Sequence, residues 1–335
     1  VTTAGEEQDL RMVVLARDTP AEGVVRLVLG SADGAELPHW QPGAHIDLVH
    51  GEVVRQYSLA GDPADRTQWQ IAVLLDPESR GGSAWVHASL SRGAHVVVRG
   101  PRNHFPLRAS PEYLFIAGGI GITPIYSMVA AAQAAGATWK LVYGGRSRRS
   151  MAYLSELTAL ASLAADDGHH PTGVGDGAGR LVVVTEEEHG LIPVEQVLGE
   201  PRAGVAVYAC GPEPLLQAVE QACAGWPVGA LHVERFAAKP LTAAVRPDSF
   251  EVQIAGTGQV VVVPPEVSVL EALIDAGLRV PSSCREGTCG TCEVMVVSGV
   301  VDHRDSILND AEKAANDTMF VCVSRAISPR LVLDV

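Results

Sequence analysis

Cys284-Arg285-Glu286-Gly287-Thr288-Cys289-Gly290-Thr291-Cys292 is the stretch that decides how the chain is read. Its cysteines follow a C-x4-C-x2-C pattern, and a fourth, Cys322, stands further along. This spacing holds a [2Fe–2S] centre. Each iron needs two protein sulfurs beside the bridging sulfides, so four thiolates are required. Three of them on one tight loop put the centre near the surface. Gly287 and Gly290 let backbone amides turn toward sulfur. A structural zinc site is the other reading. Zinc ligands, however, come as two short-spaced pairs or as Cys with His, and here the spacing is three plus one. Clustered cysteines point to metal rather than to disulfides. Cys223 stands apart on a helical pattern, as a core thiol does.

Around this loop lie 335 residues, room for two or three domains at roughly 150 residues each. Hydrophobic residues make up 47% and charged ones 19%, which predicts a folded chain with an ample core. The formal charge of -14 argues against nucleic acid, because phosphate binding needs clustered Lys and Arg. An acidic surface suits a basic protein partner or simply keeps a protein in solution. No run reaches the roughly 18 apolar residues of a membrane span. Residues 1–9 lack the features of a secretory signal, so a cytoplasmic monomer is expected. Val1 leaves open whether an initiator was removed or the chain was cut from a longer polypeptide.

Hydrophobic patterning divides the chain. Residues 9–108 carry short β-type runs at 11–16, 24–29, 45–49, 53–59, 70–75 and 95–99, punctuated by Gly and Pro. They predict an antiparallel barrel or sandwich, with a short helix over 83–90. Residues 109–236 alternate strands (113–117, 140–143, 181–184, 205–209) with helices (124–135, 151–163, 214–224), the pattern of a doubly wound parallel sheet. Residues 166–179 read as a mobile surface loop, in which His169 and His170 are a surface pair or a metal pair. Residues 237–248 read as a linker. Residues 249–335 form a small α+β module: a hairpin over 250–254 and 259–263, a helix over 269–276, and strands at 293–297 and 331–334.

In the second region Gly118, Gly119 and Gly121 precede Thr123-Pro124 between a strand and a helix. Glycines allow close backbone approach there, and the free amides of the helix start suit a pyrophosphate. The stretch is not G-x-G-x-x-G, so the standard dinucleotide fingerprint does not apply. Cys210-Gly211-Pro212 ends another strand at the same carboxyl edge, where ligands of open α/β sheets bind. Arg146, Arg148 and Arg149 follow the strand over 140–143, where an adenosine ribose is expected. With no acid among them they lean toward a 2′-phosphate and tolerance of NADPH, or else form a solvated basic turn, so NADH or NADPH is the donor. In the barrel, Arg55, Gln56, Tyr57 and Ser58 end one strand, and Gly81, Gly82 and Ser83 start the short helix. These are residue types that a flavin ring and its phosphate require.

With these motifs in place, the chain resembles the phthalate dioxygenase reductase family. The matching segments are Arg55-Gln56-Tyr57-Ser58-Leu59, Ser79-Arg80-Gly81-Gly82-Ser83, Gly100-Pro101-Arg102-Asn103-His104-Phe105, the turn from Gly118 to Pro124, the segment Tyr208-Ala209-Cys210-Gly211-Pro212, and the cysteine loop. It is similar also to the reductase part of self-sufficient cytochrome P-450 type monooxygenases, above all at Leu75-Asp76-Pro77-Glu78-Ser79 and Val301-Asp302-His303-Arg304-Asp305. The resemblance implies an antiparallel β-barrel flavin domain, an α/β nucleotide domain and a β-grasp plant-type ferredoxin domain. It implies FMN rather than FAD, although related FAD reductases share Arg-x-Tyr-Ser. The FMN phosphate would lie at Gly81, Gly82 and Ser83, and the ring against Arg55, Tyr57 and Ser58. The strand Ile71-Ala72-Val73 would run along the ring, and Phe236 would shield it unless that residue is a plain linker anchor. Ser58, Thr123 and Cys210 would lie closest to the reacting atoms. NADH or NADPH would then feed FMN, the [2Fe–2S] centre and finally a terminal oxygenase of haem-thiolate or Rieske type. An iron–sulfur redox sensor without catalysis and a standalone NAD(P)H oxidase are the alternatives.

Overall fold

The computed structural model describes residues 9–51, 53–77, 81–163, 180–241 and 243–335. His169, His170, Ser79, Arg80 and the first eight residues lie outside them. The chain divides into two compact units, Val1–Glu234 and Arg235–Val335.

The first unit opens with strands β1 (Leu10–Ala21), β2 (Val24–Ser31), β3 (His45–His50), β4 (Val53–Ser58), β5 (Trp69–Leu74) and β6 (His95–Arg102). They form one antiparallel sheet in the order β4-β3-β6-β1-β2-β5. Helix α1 (Gly82–Ser89) follows β5. The two end strands are bridged just past β4, where the Ala60 amide bonds the Gln70 carbonyl at 2.8 Å. Alternate residues such as Met12, Leu27, Leu29, Ile46, Leu48, Ile71 and Val98 fill the interior. β1 runs well beyond the expected 11–16. Its second half pairs only with β2, since β6 meets it at residues 10–13 alone. Pro20 therefore sits where one side of the strand needs no donor.

The same unit continues with β7 (Glu112–Gly118), α2 (Ile122–Ala134), β8 (Thr138–Gly145), α3 (Leu154–Leu163), β9 (Leu181–Thr185), α4 (Glu186–His189), α5 (Val194–Leu198), β10 (Val205–Cys210), α6 (Glu213–Ala222) and β11 (Leu231–Glu234). The sheet order is β11-β10-β7-β8-β9, and every ladder is parallel. The chain reverses direction across the sheet between β7 and β10, so the switch point lies there. Both faces are covered. Tyr113, Phe115 and Ala117 of β7 join one core, while Leu114 and Ile116 join the other. The edge strand β11 and the short helices α4 and α5 go beyond what patterning predicts. None is long enough to establish a period.

The barrel and this sheet share a core: Ala21, Val24, Ala60 and Ala72 pack with residues of α2 and α3. The Gln70 side-chain amide donates to the Tyr153 hydroxyl at 3.1 Å, and Arg26 bonds Glu156 at 2.8 Å. Tyr208 fastens the connection between the two sheets. Its hydroxyl donates to the Pro106 carbonyl at 3.0 Å and accepts from the Arg108 amide at 2.8 Å.

The second unit contains β12 (Phe250–Ile254), β13 (Val260–Val263), α7 (Val269–Asp275), β14 (Glu293–Ser298), β15 (Val301–Asp302), α8 (Asp310–Ala315), β16 (Thr318–Phe320), β17 (Arg325–Ala326) and β18 (Arg330–Asp334). Its five-stranded sheet runs β13-β12-β18-β14-β16, with β12 and β18 parallel and the other pairs antiparallel. Two capping boxes start its helices: Ser268 with Glu271, and Asn309 with Glu312. No helix among the described residues is long and apolar enough to cross a membrane.

Replacing Tyr208 by Phe leaves the Pro106 carbonyl and Arg108 amide short of a partner, a loss of about 1–3 kcal/mol. The expected outcome is a lower denaturant midpoint for the first unit, read by release of flavin fluorescence, with the iron–sulfur absorption of the second unit unchanged.

Candidate functional site

Arg55, Gln56, Tyr57 and Ser58 lie on β4, next to the buried Ile71, Ala72 and Val73 of β5. Arg55 reaches the start of α1. A Cβ on Gly82 would run into Arg55 Cγ, so glycine makes the space in which guanidinium and helix amides meet. Gly81 has φ 92°, which glycine tolerates and most residues do not. Ser83 is buried and accepts from the Asp76 amide at 3.1 Å. Burial pushes the Tyr57 hydroxyl up to about 12, so it stays protonated. Gln56 belongs to another set: its amide donates to the buried Asp47 at 2.9 Å, which also pairs with Arg102. The end of β4 and the start of α1 therefore bring positive charge and a helix start against apolar strand surface, which fits a flavin mononucleotide.

Across from it, Gly118 ends β7, and residues Gly119–Gly121 turn once before α2. That turn packs against β5, so the nucleotide loop and the strand proposed for the flavin ring are neighbours. Two strand ends also meet backbone to backbone. A Cβ on Gly121 would overlap the Cys210 carbonyl and come within 2.7 Å of the Gly211 amide. A Cβ on Gly118 would come within 2.7 Å of Pro212 Cδ. Thr123 bonds the Ile120 carbonyl at 3.0 Å and holds the turn closed. Ser58, Thr123 and Cys210 are all buried. Arg146 and Arg148 follow β8, but α4 brings acid to the same edge: the Glu187 amide bonds the Arg146 carbonyl at 3.3 Å. The basic run alone showed three arginines and no acid.

Glu234 was not anticipated. It ends β11 directly beside Cys210 in the ladder. Its Oε2 is buried without a hydrogen bond, and burial pushes its carboxyl up to about 8. Burial, with Glu234 beside it, also raises the Cys210 thiol. A charged residue closing an apolar strand was the available sign. Phe236 falls in the second unit, 48% exposed.

In the cysteine loop, Cys284 is half-buried, and Cys289, Cys292 and Cys322 are buried. All six cysteines are free thiols, and burial raises Cys223 to about 11 in the core beside Trp226. The loop thiols adjoin in two pairs. The Cys284 sulfur holds the Cys289 thiol up, and Cys292 does the same to Cys322. Two sulfurs at each of two positions is the donor set of a two-iron centre. Backbone turns with φ 57° at Arg285, 71° at Gly287 and 76° at Gly290 aim amides inward. The Glu286 amide donates to Cys284 Sγ at 3.3 Å, and the Thr291 hydroxyl lies 3.3 Å from Cys289 Sγ.

Comparisons with known proteins identify the same domains. Residues 252–326 match the 2Fe-2S iron-sulfur cluster binding domain, and residues 115–221 match the oxidoreductase NAD-binding domain. The phenoxybenzoate dioxygenase subunit beta of Ectopseudomonas oleovorans is 41% identical over 300 residues, covering 89% of this chain and 88% of its own. The structure of phthalate dioxygenase reductase, described as modular for electron transfer from pyridine nucleotides to [2Fe-2S], matches 98% of both chains. It does so at 34% identity and a TM-score of 0.66. An intact type IV self-sufficient cytochrome P450 monooxygenase matches 98% of this chain at 41% identity and a TM-score of 0.87. This chain spans 41% of that one.

Two outcomes are expected. Gly121→Ala pushes the two strand ends apart and weakens NADH binding by about tenfold or more, roughly 1.4 kcal/mol, in a titration that leaves the flavin and iron–sulfur spectra intact. Glu234→Gln alters stability against pH. A raised carboxyl contributes stability below its ordinary value of 4.5 that is lost as pH approaches about 8. The wild-type melting temperature should therefore fall across that window relative to the variant.

Proposed function

The chain belongs to the phthalate dioxygenase reductase family, and on that premise we propose that it takes electrons from NADH or NADPH and delivers them to a haem-thiolate terminal monooxygenase. The observation that carries this reading is the Gly119–Gly121 turn against β5. On this reading the dinucleotide and the flavin meet at one seam. When bound, FMN supplies the exchange between two-electron and one-electron chemistry, and the [2Fe–2S] centre supplies one-electron relay. The protein's part is to bind and orient. Arg55 with the amides of Gly82 and Ser83 holds the flavin phosphate. Tyr57 and the strand Ile71-Ala72-Val73 form the ring's wall, and Ser58 lies at its polar edge. The amides after Gly118, with Gly211 and Pro212, take the pyrophosphate at a helix start. Thr123 and Cys210 close the nicotinamide end against water. Arg146 and Arg148 receive the adenosine half, with the α4 acids beside them. Cys284, Cys289, Cys292 and Cys322 hold the irons.

The likeness to the self-sufficient monooxygenase, at a TM-score of 0.87 against 0.66 for phthalate dioxygenase reductase, supports a haem partner. A Rieske-type oxygenase is the second reading, supported by the similarity to a phenoxybenzoate dioxygenase subunit. We further place the protein in the cytoplasm as a monomer that meets its oxygenase in passing.

Anaerobic titration with NADH and with NADPH tests this reading. Flavin bleaching together with a reduced iron–sulfur EPR signal is expected, and the tighter nucleotide identifies what the Arg146 edge selects. Cys292→Ser should still bleach its flavin and fail to reduce a haem-thiolate partner. A variant that reduced it at the wild-type rate would remove the relay.

A further inference from the structure

The segment Val301-Asp302-His303-Arg304-Asp305 has no place in the electron route above, yet it is built tightly into the second unit. The His303 side chain is 7% exposed and that of Asp305 is 0% exposed. Asp305 Oδ1 accepts from the amides of Ile307 at 3.0 Å and Leu308 at 2.7 Å. Its Oδ2 has no hydrogen bond and lies 3.9 Å from His303 Nδ1. The segment packs directly on the cysteine loop. Gly287 stands at φ 71°, where a Cβ would come within 3.2 Å of Asp305 Cα and 2.6 Å of Val323 Cγ2. The Ser306 amide donates to the Gly287 carbonyl at 3.0 Å, and the Gly287 amide in turn faces the sulfur of Cys322.

We propose that Asp305, backed by His303, is the positioning residue that sets the reduction potential of the [2Fe–2S] centre, through its buried negative charge against the cysteine loop, where the next residue, Ser306, bonds the Gly287 peptide. Net charge and hydrogen bonds to sulfur are two of the levers on such a potential. The two act in opposite directions here. A fixed anion beside the centre disfavours an added electron, and in a buried position water and salt screen it little. An amide aimed at sulfur favours the electron. Burial lowers the basicity of His303 against the opposing pull of Asp305 and Asp302, with Lys313 adding to the lowering. A neutral ring does not cancel the Asp305 charge. Arg304 is the nearest cation in sequence, and its amide bonds Ser324 at 3.3 Å.

Asp305→Asn separates the two levers, because its carbonyl oxygen can keep the Ile307 and Leu308 amides while the charge is gone. The experiment is an anaerobic redox titration of the holoprotein. EPR follows the iron–sulfur signal, and visible absorption follows the flavin in the same sample. In Asp305→Asn the iron–sulfur midpoint should move to a more positive potential, with EPR line shape, iron content and flavin midpoint unchanged. Asp305→Ser should move it the same way, and Asp305→Glu should restore the low value. An unmoved midpoint in Asp305→Asn overturns the proposal, and so does a shift that carries the flavin midpoint with it. If neither neutral variant assembles a centre, Asp305 serves folding alone and the proposal falls. The inference rests on the four cysteines as iron ligands. Failure of that reading is a different result, the absence of an iron–sulfur signal in the wild-type protein.

Discussion

The first unit depends on three missing side chains. Gly118, Gly121 and Gly211 allow the ends of β7 and β10 to touch through their backbones, with no room for a Cβ between them. The contact occurs at the switch point of a parallel sheet, where two loops diverge and leave a crevice. Any side chain there would fill the crevice and displace the turn that leads into α2. The same turn leans on β5 of the barrel. One close backbone approach therefore governs the width of the crevice and its distance from β5.

That close approach needs a rigid frame, which the seam between barrel and sheet supplies. Tyr153 is held at φ 61°, an uncommon conformation for a large residue. It is fully buried, stacks on Tyr126 of α2 at 4.6 Å and accepts from Gln70 of the barrel. Strain of this kind persists only where packing over-determines it. The packing here comes from both sheets, so the barrel strand and the dinucleotide helix are registered through one aromatic ring. Tyr208 does the same for the connecting segment.

The framework was legible in the sequence because its signals are local. The barrel strands, the four long strands of the parallel sheet and the principal helices announce themselves by runs of Val, Ile and Leu between Gly and Pro. The glycine turn and the cysteine spacing are contiguous motifs. What patterning missed is what depends on partners far along the chain. The polar residues 17–21 read as loop, yet the ladder with β2 keeps them extended. The three-residue β16 and the edge strand β11 have too few residues to show alternation. The acids of α4 reach the Arg146 edge only because β9 lies beside β8. Asp305 looks like a surface acid in a polar stretch, and only the tertiary structure shows it to be buried, as it does for the Glu234 Oε2 atom.

Asp305 differs in kind from the rest of the negative charge of the second unit. Residues 249–335 carry twelve acidic and six basic residues, and most of these face water. Charges on the surface act over a screening length of about 8 Å at physiological salt. They can steer a basic partner toward the cysteine loop, and salt weakens that steering. The same surface charges have little leverage on the energy of an electron inside the loop, because water responds to it. Asp305 has the opposite properties: no exposed side-chain surface, and backbone contact with the loop itself. Docking and potential are thereby assigned to different acids by their dielectric surroundings. A change of ionic strength or of surface sequence can then retune partner encounter while leaving the energy of the relayed electron where the buried carboxylate holds it.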